Sequence, residues 1–443
     1  MKAIERDYKL YLQNKLRGNG LIQKVFDQLA SMHTKDKMII KFTLTGAIGF
    51  FLALAPILDP YVFFKIGEGF TLKINDIIML VLGFLCFSQN HKTESKTNYL
   101  VILLMGLTFI NIIANMYNNI SMFSSLKSLI VYFVYAVILT YLWKTECRES
   151  FLHWVQVFAT LASILVILQF FFGYLDLPMW DGQLSFFELG GYDQWSGYID
   201  RNTGAIRPNG IFQEASYVGI YLSVAYTQSF SDGRFGRIIL YAIAMLMTTS
   251  LLAVFTCIII TVYVLIARNK MRISKKTSRR IFWVIVILVS ILFVFITVNE
   301  AAQESFSYIF DRVDGIDTAL EDERDSSTKI RLLGNIELFD RYDTVQKFFG
   351  LGIAQYSVFF DIKAYSNVWV VTILNSGIVG ISFLVFVLFW MLKRMKTENR
   401  AFFIILLLVF SVDYQWFSWY FFYMFTACLL ESEPKESPEK ITV

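Results

Sequence analysis

The chain has 443 residues, of which 56% are hydrophobic and 17% aromatic, and its formal net charge is +4 at pH 7. The mean hydropathy of +0.53 is higher than a soluble protein of this length needs, because such a protein requires apolar residues only for its core. Apolar runs of about 20 residues instead match the thickness of a bilayer. This composition excludes a large soluble protein and predicts a polytopic membrane protein.

The first 37 residues are mostly polar and lack the features of a cleavable signal sequence. Such a sequence has a short charged region, an apolar core and a small-residue cleavage site. We expect residues 1–37 to form a cytoplasmic segment with a helix lying along the membrane.

Ten apolar runs follow, and two of them are too long for a single span. They lie near 38–58, 76–90, 99–117, 126–143, 151–173, 215–230, 238–267, 281–298, 367–392 and 401–430. A helix of about 30 residues would extend about 45 Å, well beyond the hydrocarbon core. Polar clusters at 248–250 and 413–415 interrupt the long runs, so each is predicted to form two short helices. The predicted fold class is all-α, with one membrane domain over 38–430 and twelve transmembrane helices.

Two polar segments, 174–214 and 299–366, are much longer than the other connections between apolar runs. With a cytoplasmic N-terminus, the short loops carry an excess of lysine and arginine, strongest at 268–280, whereas both long segments are net acidic. The positive-inside rule therefore predicts that the long segments lie outside the cytoplasm. Both termini, including a polar tail at 431–443, are predicted to be cytoplasmic.

The two exterior segments contain no cysteine and no histidine. A disulfide framework or a zinc site is therefore excluded there, and any chemistry must proceed without histidine. The acidic cluster at 321–323 leaves open a cation site or a solvated stretch. No metal site is assigned, and neither a cofactor nor a nucleic-acid partner is expected.

A first candidate site lies where segment 174–214 enters the next apolar run. Pro208 and Gly210 keep the chain out of a helix, so the helix is predicted to begin near Glu214 or Ala215 with its N-terminus outward. A helix N-terminus attracts anions, and Arg207 can bind phosphate oxygens through two parallel hydrogen bonds. Glu214 would be partly desolvated and could serve as a general base. Alternatively, Arg207 and Glu214 pair with each other and cap the helix.

The second segment contains a similar entry into a helix. Ser366 or Asn367 is predicted to be the N-cap of the following helix. Arg331 lies on a stretch with helical spacing, and residues 348–352 resemble a turn before the membrane. Gly377, inside the next run, is expected to permit close helix packing. The other exterior arginines considered are Arg312, Arg324 and Arg341.

Taken together, these motifs resemble the family of O-antigen polymerases and ligases, and the Wzy-type polysaccharide polymerases in particular. The resemblance covers roughly residues 160–400 and rests on the order of several short motifs. These are Arg-x-x-Gly-x-Phe-x-Glu at 207–214, Ser326-Ser327 followed by Arg331, Phe349-Gly350-x-Gly352, Ser366-Asn367, and Asn375-x-Gly-Ile-Val-Gly ending at Gly380. Thr248-Thr249-Ser250 stands where the family often has Thr-x-Ser-Arg, but Leu251 replaces the arginine.

The resemblance implies glycosyl transfer on the outer face of a bacterial cytoplasmic membrane. An oligosaccharide on an undecaprenyl diphosphate carrier would be joined to a second one, producing O-antigen, capsule or exopolysaccharide. Besides this lipid-linked glycan and membrane lipid, the partners implied are a chain-length regulator and a flippase. The implied catalytic residues are Arg207, Glu214 and Arg331, and the implied substrate-binding residues are Asn209, Gly210, Arg312, Arg341, Ser366 and Asn367. Independently of the resemblance, Trp180, Tyr192, Trp195 and Tyr198 of the first segment would give the glycan an aromatic surface. Aromatic residues are also common at a membrane interface.

Two other functions remain open from the sequence. Ligases of the family usually carry a histidine where Ser366 stands, and the absence of exterior histidine favours a polymerase over a ligase. A lipid-linked oligosaccharide flippase would also have about twelve spans, but transporters typically place charges at mid-membrane and contain repeated halves. The sequence shows no such repeat.

Overall fold

The computed structural model describes residues 44–66, 70–89, 99–118, 145–189, 206–267, 336–352, 355–360, 367–394 and 397–411, together with scattered single residues. Contacts divide the chain into two compact units, Met1–Gly46 and Ala47–Val443. Nearly all of the described residues belong to the second unit, which is mostly helical, as predicted.

Eleven helices are defined in the described part of the chain. They are α1 (Leu44–Leu58), α2 (Ile74–Gln89), α3 (Tyr99–Tyr117), α4 (Thr145–Tyr174), α5 (Ala215–Ser231), α6 (Phe235–Met247), α7 (Leu251–Ala267), α8 (Thr344–Phe349), α9 (Gln355–Phe359), α10 (Val368–Arg394) and α11 (Thr397–Phe410). A 3₁₀ helix covers Ile336–Arg341. The strands are β1 (Tyr61–Ile66), β2 (Phe70–Lys73) and β3 (Glu188–Leu189).

The apolar runs are helical wherever the structure describes them, whereas α8 and α9 lie in the polar segment 299–366. Run 238–267 is divided at Thr248–Ser250, as its length predicted, and Thr249 has a φ of 51°, which no right-handed helix accommodates. Run 401–430 is helical to Phe410. The rest of that run lies outside the described residues, as do 1–37, most of 126–143 and 281–298, and the tail 431–443.

One predicted loop is wrong. α4 begins at Thr145 rather than near residue 151, so the short loop expected at 144–150 is almost entirely helical. The charged residues Arg148 and Glu149 thus belong to the helix, which extends beyond the apolar run.

A small antiparallel sheet, ordered β2-β1-β3, was not expected in an all-α fold. β1 and β2 form a hairpin between α1 and α2. β3 comes from the segment after α4 and pairs Tyr61 with Leu189 and Val62 with Glu188. The hairpin is rich in β-branched and aromatic residues, which favour strands.

The exposed sides of the helices are apolar, whereas several buried positions are polar. On α7, Phe255 and Ile258 are each 48% exposed, while Thr256 and Thr261 are buried. The same holds for α3, where Phe109 is exposed and Asn115 is fully buried. Other exposed apolar residues are Leu161, Ile164, Leu168, Phe171, Val385, Phe386, Phe389, Ile404 and Leu408. Water-facing surfaces are normally polar, so this arrangement suits an apolar surrounding.

Within the described part of the chain, two helices are long and apolar enough to cross a membrane, namely α4 over Arg148–Tyr174 and α10 over Val368–Trp390. Shorter apolar helices accompany them, including most of α1, α2, α6 and α7. Length and composition of these helices indicate association with a membrane.

Contacts bring specific helix ends to the same side of the bundle. The pairing of β1 with β3 places the C-terminal ends of α1 and α4 together. The hydroxyl of Thr249, between α6 and α7, donates to the carbonyl of Ile206, which precedes α5, at 3.1 Å. At the opposite end of α4, Gln156 Nε2 donates to the carbonyl of Ala225 near the end of α5 at 2.9 Å. α4 and α5 therefore run antiparallel.

Candidate functional site

The segment Ile206–Glu214 forms a compact turn that leads directly into α5. Its first residue forms an antiparallel bridge with Ile199, and the amide of Arg207 donates to the carbonyl of Tyr198 at 2.7 Å. Gly210 has a φ of 59°, a conformation that glycine adopts readily, which closes the turn. Arg207 and Glu214, which both remain partly exposed, thus lie at the two ends of one turn.

A buried amide side chain of α4 holds this turn in place. Gln169 is fully buried, and its Oε1 accepts hydrogen bonds from the amides of Gly210 at 2.8 Å and Asn209 at 3.2 Å. Its Nε2 donates to the carbonyls of Gly210 and Trp180, at 3.2 and 3.1 Å. Because four hydrogen bonds converge on one side chain inside an apolar helix, the turn has little freedom to move.

Asn209 is fully buried within this turn. Its Nδ2 donates to the carbonyl of Phe212 at 2.6 Å, which stabilises the turn from inside. Its Oδ1 has no hydrogen-bond partner among the described residues. The side chain of Asn209 therefore faces the interior of the turn, and its substrate-binding role stays a prediction.

Glu214 is the N-cap residue of α5, so the helix begins where it was predicted. Its side chain does not bond the amides of the first turn and instead accepts a hydrogen bond from Ser216 Oγ at 3.1 Å. Its carbonyl accepts from the amides of Tyr217 and Val218. The capping part of the predicted alternative is therefore wrong, whereas pairing of Glu214 with Arg207 stays a prediction; the Ser216 hydroxyl binds the carboxylate at the start of the helix.

The second segment folds against the start of α10. Tyr342 donates its hydroxyl to the carbonyl of Leu374 at 3.0 Å, and burial raises the pKa of this tyrosine, so the donor stays protonated. α8 begins with a capping box in which Asp343 and Gln346 satisfy each other's backbone amides. Arg341, at the end of the 3₁₀ helix, is exposed.

The turn predicted at 348–352 is present and touches a break in α10. Gly377 has a φ of 63° and a ψ of −166°, so the helical backbone of α10 is interrupted there. The sequence alone predicts only that this glycine permits close helix packing. The amides of Leu351 and Gly352 donate to the carbonyls of Leu374 and Asn375, at 3.1 and 2.9 Å. The freed carbonyls before the break are thus satisfied by the turn.

Asn367 is the N-cap of α10, which confirms one of the two predicted alternatives. Its Oδ1 accepts a hydrogen bond from the amide of Val370 at 3.0 Å. The first turn of α10 contributes Val368 to the larger hydrophobic cluster, which also contains Phe212 of the Arg207 turn. Val370 belongs to the smaller cluster, which contains Tyr342. The helix that Asn367 begins therefore contributes to both hydrophobic clusters.

Three predicted site residues, Arg312, Arg331 and Ser366, lie outside the described residues. The structure brings together Arg207, Asn209, Gly210 and Glu214, and it places Arg341 and Asn367 on the second segment. Among the described residues, no group of three metal-ligating side chains occurs. The acidic cluster at 321–323 is outside them.

Sequence reasoning missed Gln169 and the buried amide of Asn115. A Cβ on Gly352 would overlap Asn115 Oδ1, so this glycine lets α3 approach the second segment. The available signal was polarity, because an amide inside an apolar run usually bonds to another part of the protein. One predicted glycan contact is also wrong, since Trp195 is only 2% exposed and stacks on Tyr61.

Comparison of the chain with protein-family models, with curated proteins and with solved structures gave no match.

Proposed function

We propose that this chain is a Wzy-type polysaccharide polymerase of a bacterial cytoplasmic membrane. It joins undecaprenyl-diphosphate-linked oligosaccharide units into O-antigen, capsule or exopolysaccharide on the outer face. In this proposal the chain crosses the membrane twelve times with both termini cytoplasmic, and a flippase and a chain-length regulator act with it. The observation that carries the proposal is the rigid turn from Arg207 to Glu214 at the N-terminus of α5.

The contacts between helix ends support the proposed topology. The connection between α1 and α2, the segment after α4 and the break before α7 are all exterior in a twelve-span arrangement. These are the segments joined by the β1–β3 pairing and by the Thr249–Ile206 hydrogen bond. The end of α3 is exterior too, and the Tyr117 hydroxyl there donates to Asp343 of the second exterior segment at 3.1 Å.

The chemistry of the transfer suits the residues at this turn. The bond between the sugar C1 and the carrier diphosphate breaks, and a bond between C1 and the acceptor hydroxyl oxygen forms. Negative charge develops on the leaving diphosphate, which the guanidinium groups of Arg207 and Arg331 stabilise. Glu214 takes the proton of the attacking hydroxyl, so the released carrier leaves as the diphosphate anion.

The helix entrance adds to this stabilisation. The N-terminus of α5 carries a partial positive charge, and Glu214 makes no side-chain bond to its first amides. Gln169 fixes the turn before substrate arrives, so little reorganisation is needed during the reaction. The carrier's polyprenyl tail requires an apolar surface, which the exposed sides of the helices supply.

The test is a reconstituted assay with purified protein in liposomes and lipid-linked repeat units. Elongation of the glycan on the carrier, with release of undecaprenyl diphosphate, is the expected result. Movement of the lipid-linked unit across the bilayer without elongation would instead identify a flippase. Transfer of a single glycan to a different lipid acceptor would identify a ligase.

A further inference from the structure

The turn Trp180–Gln183 packs directly against the Arg207 turn. A Cβ on Gly182 would overlap the carbonyl oxygen of Gly210, so the two backbones are in contact. Gly182 also has a φ of 86°, a backbone conformation that glycine adopts much more readily than other residues. The Gln169 amide also bonds both turns, through the carbonyls of Trp180 and Gly210. The position of Trp180 is therefore fixed relative to Arg207.

The indole ring of Trp180 is both exposed and held. Its side chain is 48% exposed, and its Nε1 donates to the carbonyl of Gln183 at 2.9 Å. The carboxylate of Asp181 accepts from the amide of Gln183 at 3.0 Å, which tightens the same turn. A second indole, that of Trp195, is buried and donates to the carbonyl of Asp181 at 3.0 Å. The buried Trp195 thus stabilises the turn from its interior side, while the ring of Trp180 stays exposed.

Two kinds of surrounding are common for such a ring, the membrane interface and a sugar. An interfacial tryptophan usually directs its N–H to water or lipid headgroups. Here the N–H is used inside the turn, so the ring offers only its apolar surface. The face of an aromatic ring carries partial negative charge, which attracts the partially positive C–H groups on the apolar face of a pyranose. The hydrogen-bonding pattern therefore favours a sugar.

We infer that the Trp180–Gln183 turn is a glycan-binding subsite in which the indole of Trp180 stacks on a pyranose ring of the lipid-linked oligosaccharide. The inference rests on the proposed function, because the ligand is the glycan whose diphosphate is held by Arg207. Stacking beside that turn orients the sugar and contributes to substrate affinity rather than to bond cleavage.

The experiment compares Trp180→Leu, which keeps apolar bulk but has no aromatic face, with Trp180→Phe, which keeps a face. Phe186→Leu is the matched control, since Phe186 is 73% exposed on the same segment. One readout is KM and kcat for elongation of lipid-linked repeat units. The other is saturation-transfer NMR with the repeat-unit oligosaccharide released from its carrier by mild acid, which needs no turnover.

The expected result is a rise of about tenfold in KM and in the oligosaccharide Kd for Trp180→Leu, with kcat close to wild type. Trp180→Phe and Phe186→Leu should both stay within about threefold of wild type. Unchanged affinity in Trp180→Leu, or an equal loss in Phe186→Leu, would overturn the subsite and assign the ring to the membrane interface. If wild-type protein binds the oligosaccharide without elongating it, the proposed polymerase activity fails while the NMR comparison still decides the subsite. Absence of oligosaccharide binding by wild type overturns the subsite.

Discussion

Gly350 and Gly377 bring two segments of backbone into direct contact. A Cβ on Gly350 would overlap the carbonyl group of Asn375, and a Cβ on Gly377 would overlap that of Phe348. Both residues also have positive φ with ψ near 180°, a region that only glycine populates readily. The contact joins segment 299–366 to the break in α10.

We expect Gly350→Ala and Gly377→Ala each to destabilise the protein by about 2 kcal/mol or more, because strain and steric overlap add. Gly236→Ala is the control, since Gly236 has open space around it. Thermal unfolding in detergent can be followed with a thiol-reactive dye, because Cys86 and Cys257 are buried in the folded protein. Equal melting temperatures for all three variants would show that the contact is not needed.

Replacing Gln169 by leucine should loosen the Arg207 turn. The amides of Asn209 and Gly210 would lose their acceptor, at a cost of about 1–3 kcal/mol for each buried donor left unpaired. The melting temperature should fall, and the elongation rate should fall with it. Ser163→Ala is the comparison, because that hydroxyl donates to Ala159 within α4. A Gln169→Leu variant as active as Ser163→Ala would refute the positioning of the turn by Gln169.

Arg207→Ala and Arg331→Ala should each abolish polymer formation while leaving the protein inserted and expressed. Lysine should restore little activity, because a point charge cannot reproduce two parallel hydrogen bonds to phosphate. Arg234→Ala provides the control, since that arginine lies between α5 and α6 in a partly exposed pair with Asp232. Polymer length on gels and protein level by immunoblot are the measurements. Near-normal polymer from either alanine variant would exclude the diphosphate role.

For Glu214→Gln we expect turnover to fall by about 10²–10⁴-fold, because the amide keeps the shape but cannot accept a proton. Affinity for the lipid-linked substrate should be nearly unchanged. Glu188→Gln, an exposed carboxylate on the same segment, should behave like wild type. The measurements are single-turnover rates and substrate Kd in liposomes. Weakened affinity with preserved turnover would assign Glu214 to substrate positioning instead of catalysis.

The proposed topology predicts which cysteines impermeant reagents can reach. In a cysteine-free background, single cysteines at Ser185 and Ser326 should react with a membrane-impermeant maleimide in intact cells. Ser185 is exposed in the structure. A cysteine at Ser274 should react only after the membrane is permeabilised. Labelling of the Ser274 position from outside would invert the topology and remove the outer-face site.

The helices could be predicted from the sequence because apolar runs report burial in a bilayer directly. The break at Thr249 could be predicted because one helix over 238–267 would exceed the hydrocarbon core and because the polar cluster at 248–250 marks where the run divides. The N-cap at Asn367 could be predicted because asparagine commonly precedes a helix. The N-cap at Glu214 could be predicted because the apolar run begins directly after it. In each case the signal lies in neighbouring residues.

What the sequence did not predict depends on contacts between distant segments. β3 has two residues and is separated in the chain from its partner β1 by three of the described helices, so no local pattern reveals it. The sequence predicted that Gly377 permits helix packing. Its positive φ could not be predicted, because it depends on contact with the turn at Gly350, which is distant in sequence. The role of Gln169 likewise requires knowing that its side chain meets the backbone of Gly210. These features belong to tertiary structure.

In the proposed twelve-span topology, the pairing of β1 with β3 also constrains how the chain is inserted during synthesis. Both strands must reach the same compartment, so the chain has to cross the bilayer an even number of times between Ile66 and Glu188. The four apolar runs that separate them, 76–90, 99–117, 126–143 and 151–173, meet this requirement. If one run failed to insert, β3 would be delivered to the wrong compartment and β1 would keep an unpaired edge. Under that topology we expect the small sheet to form only on chains that cross the membrane an even number of times between β1 and β3.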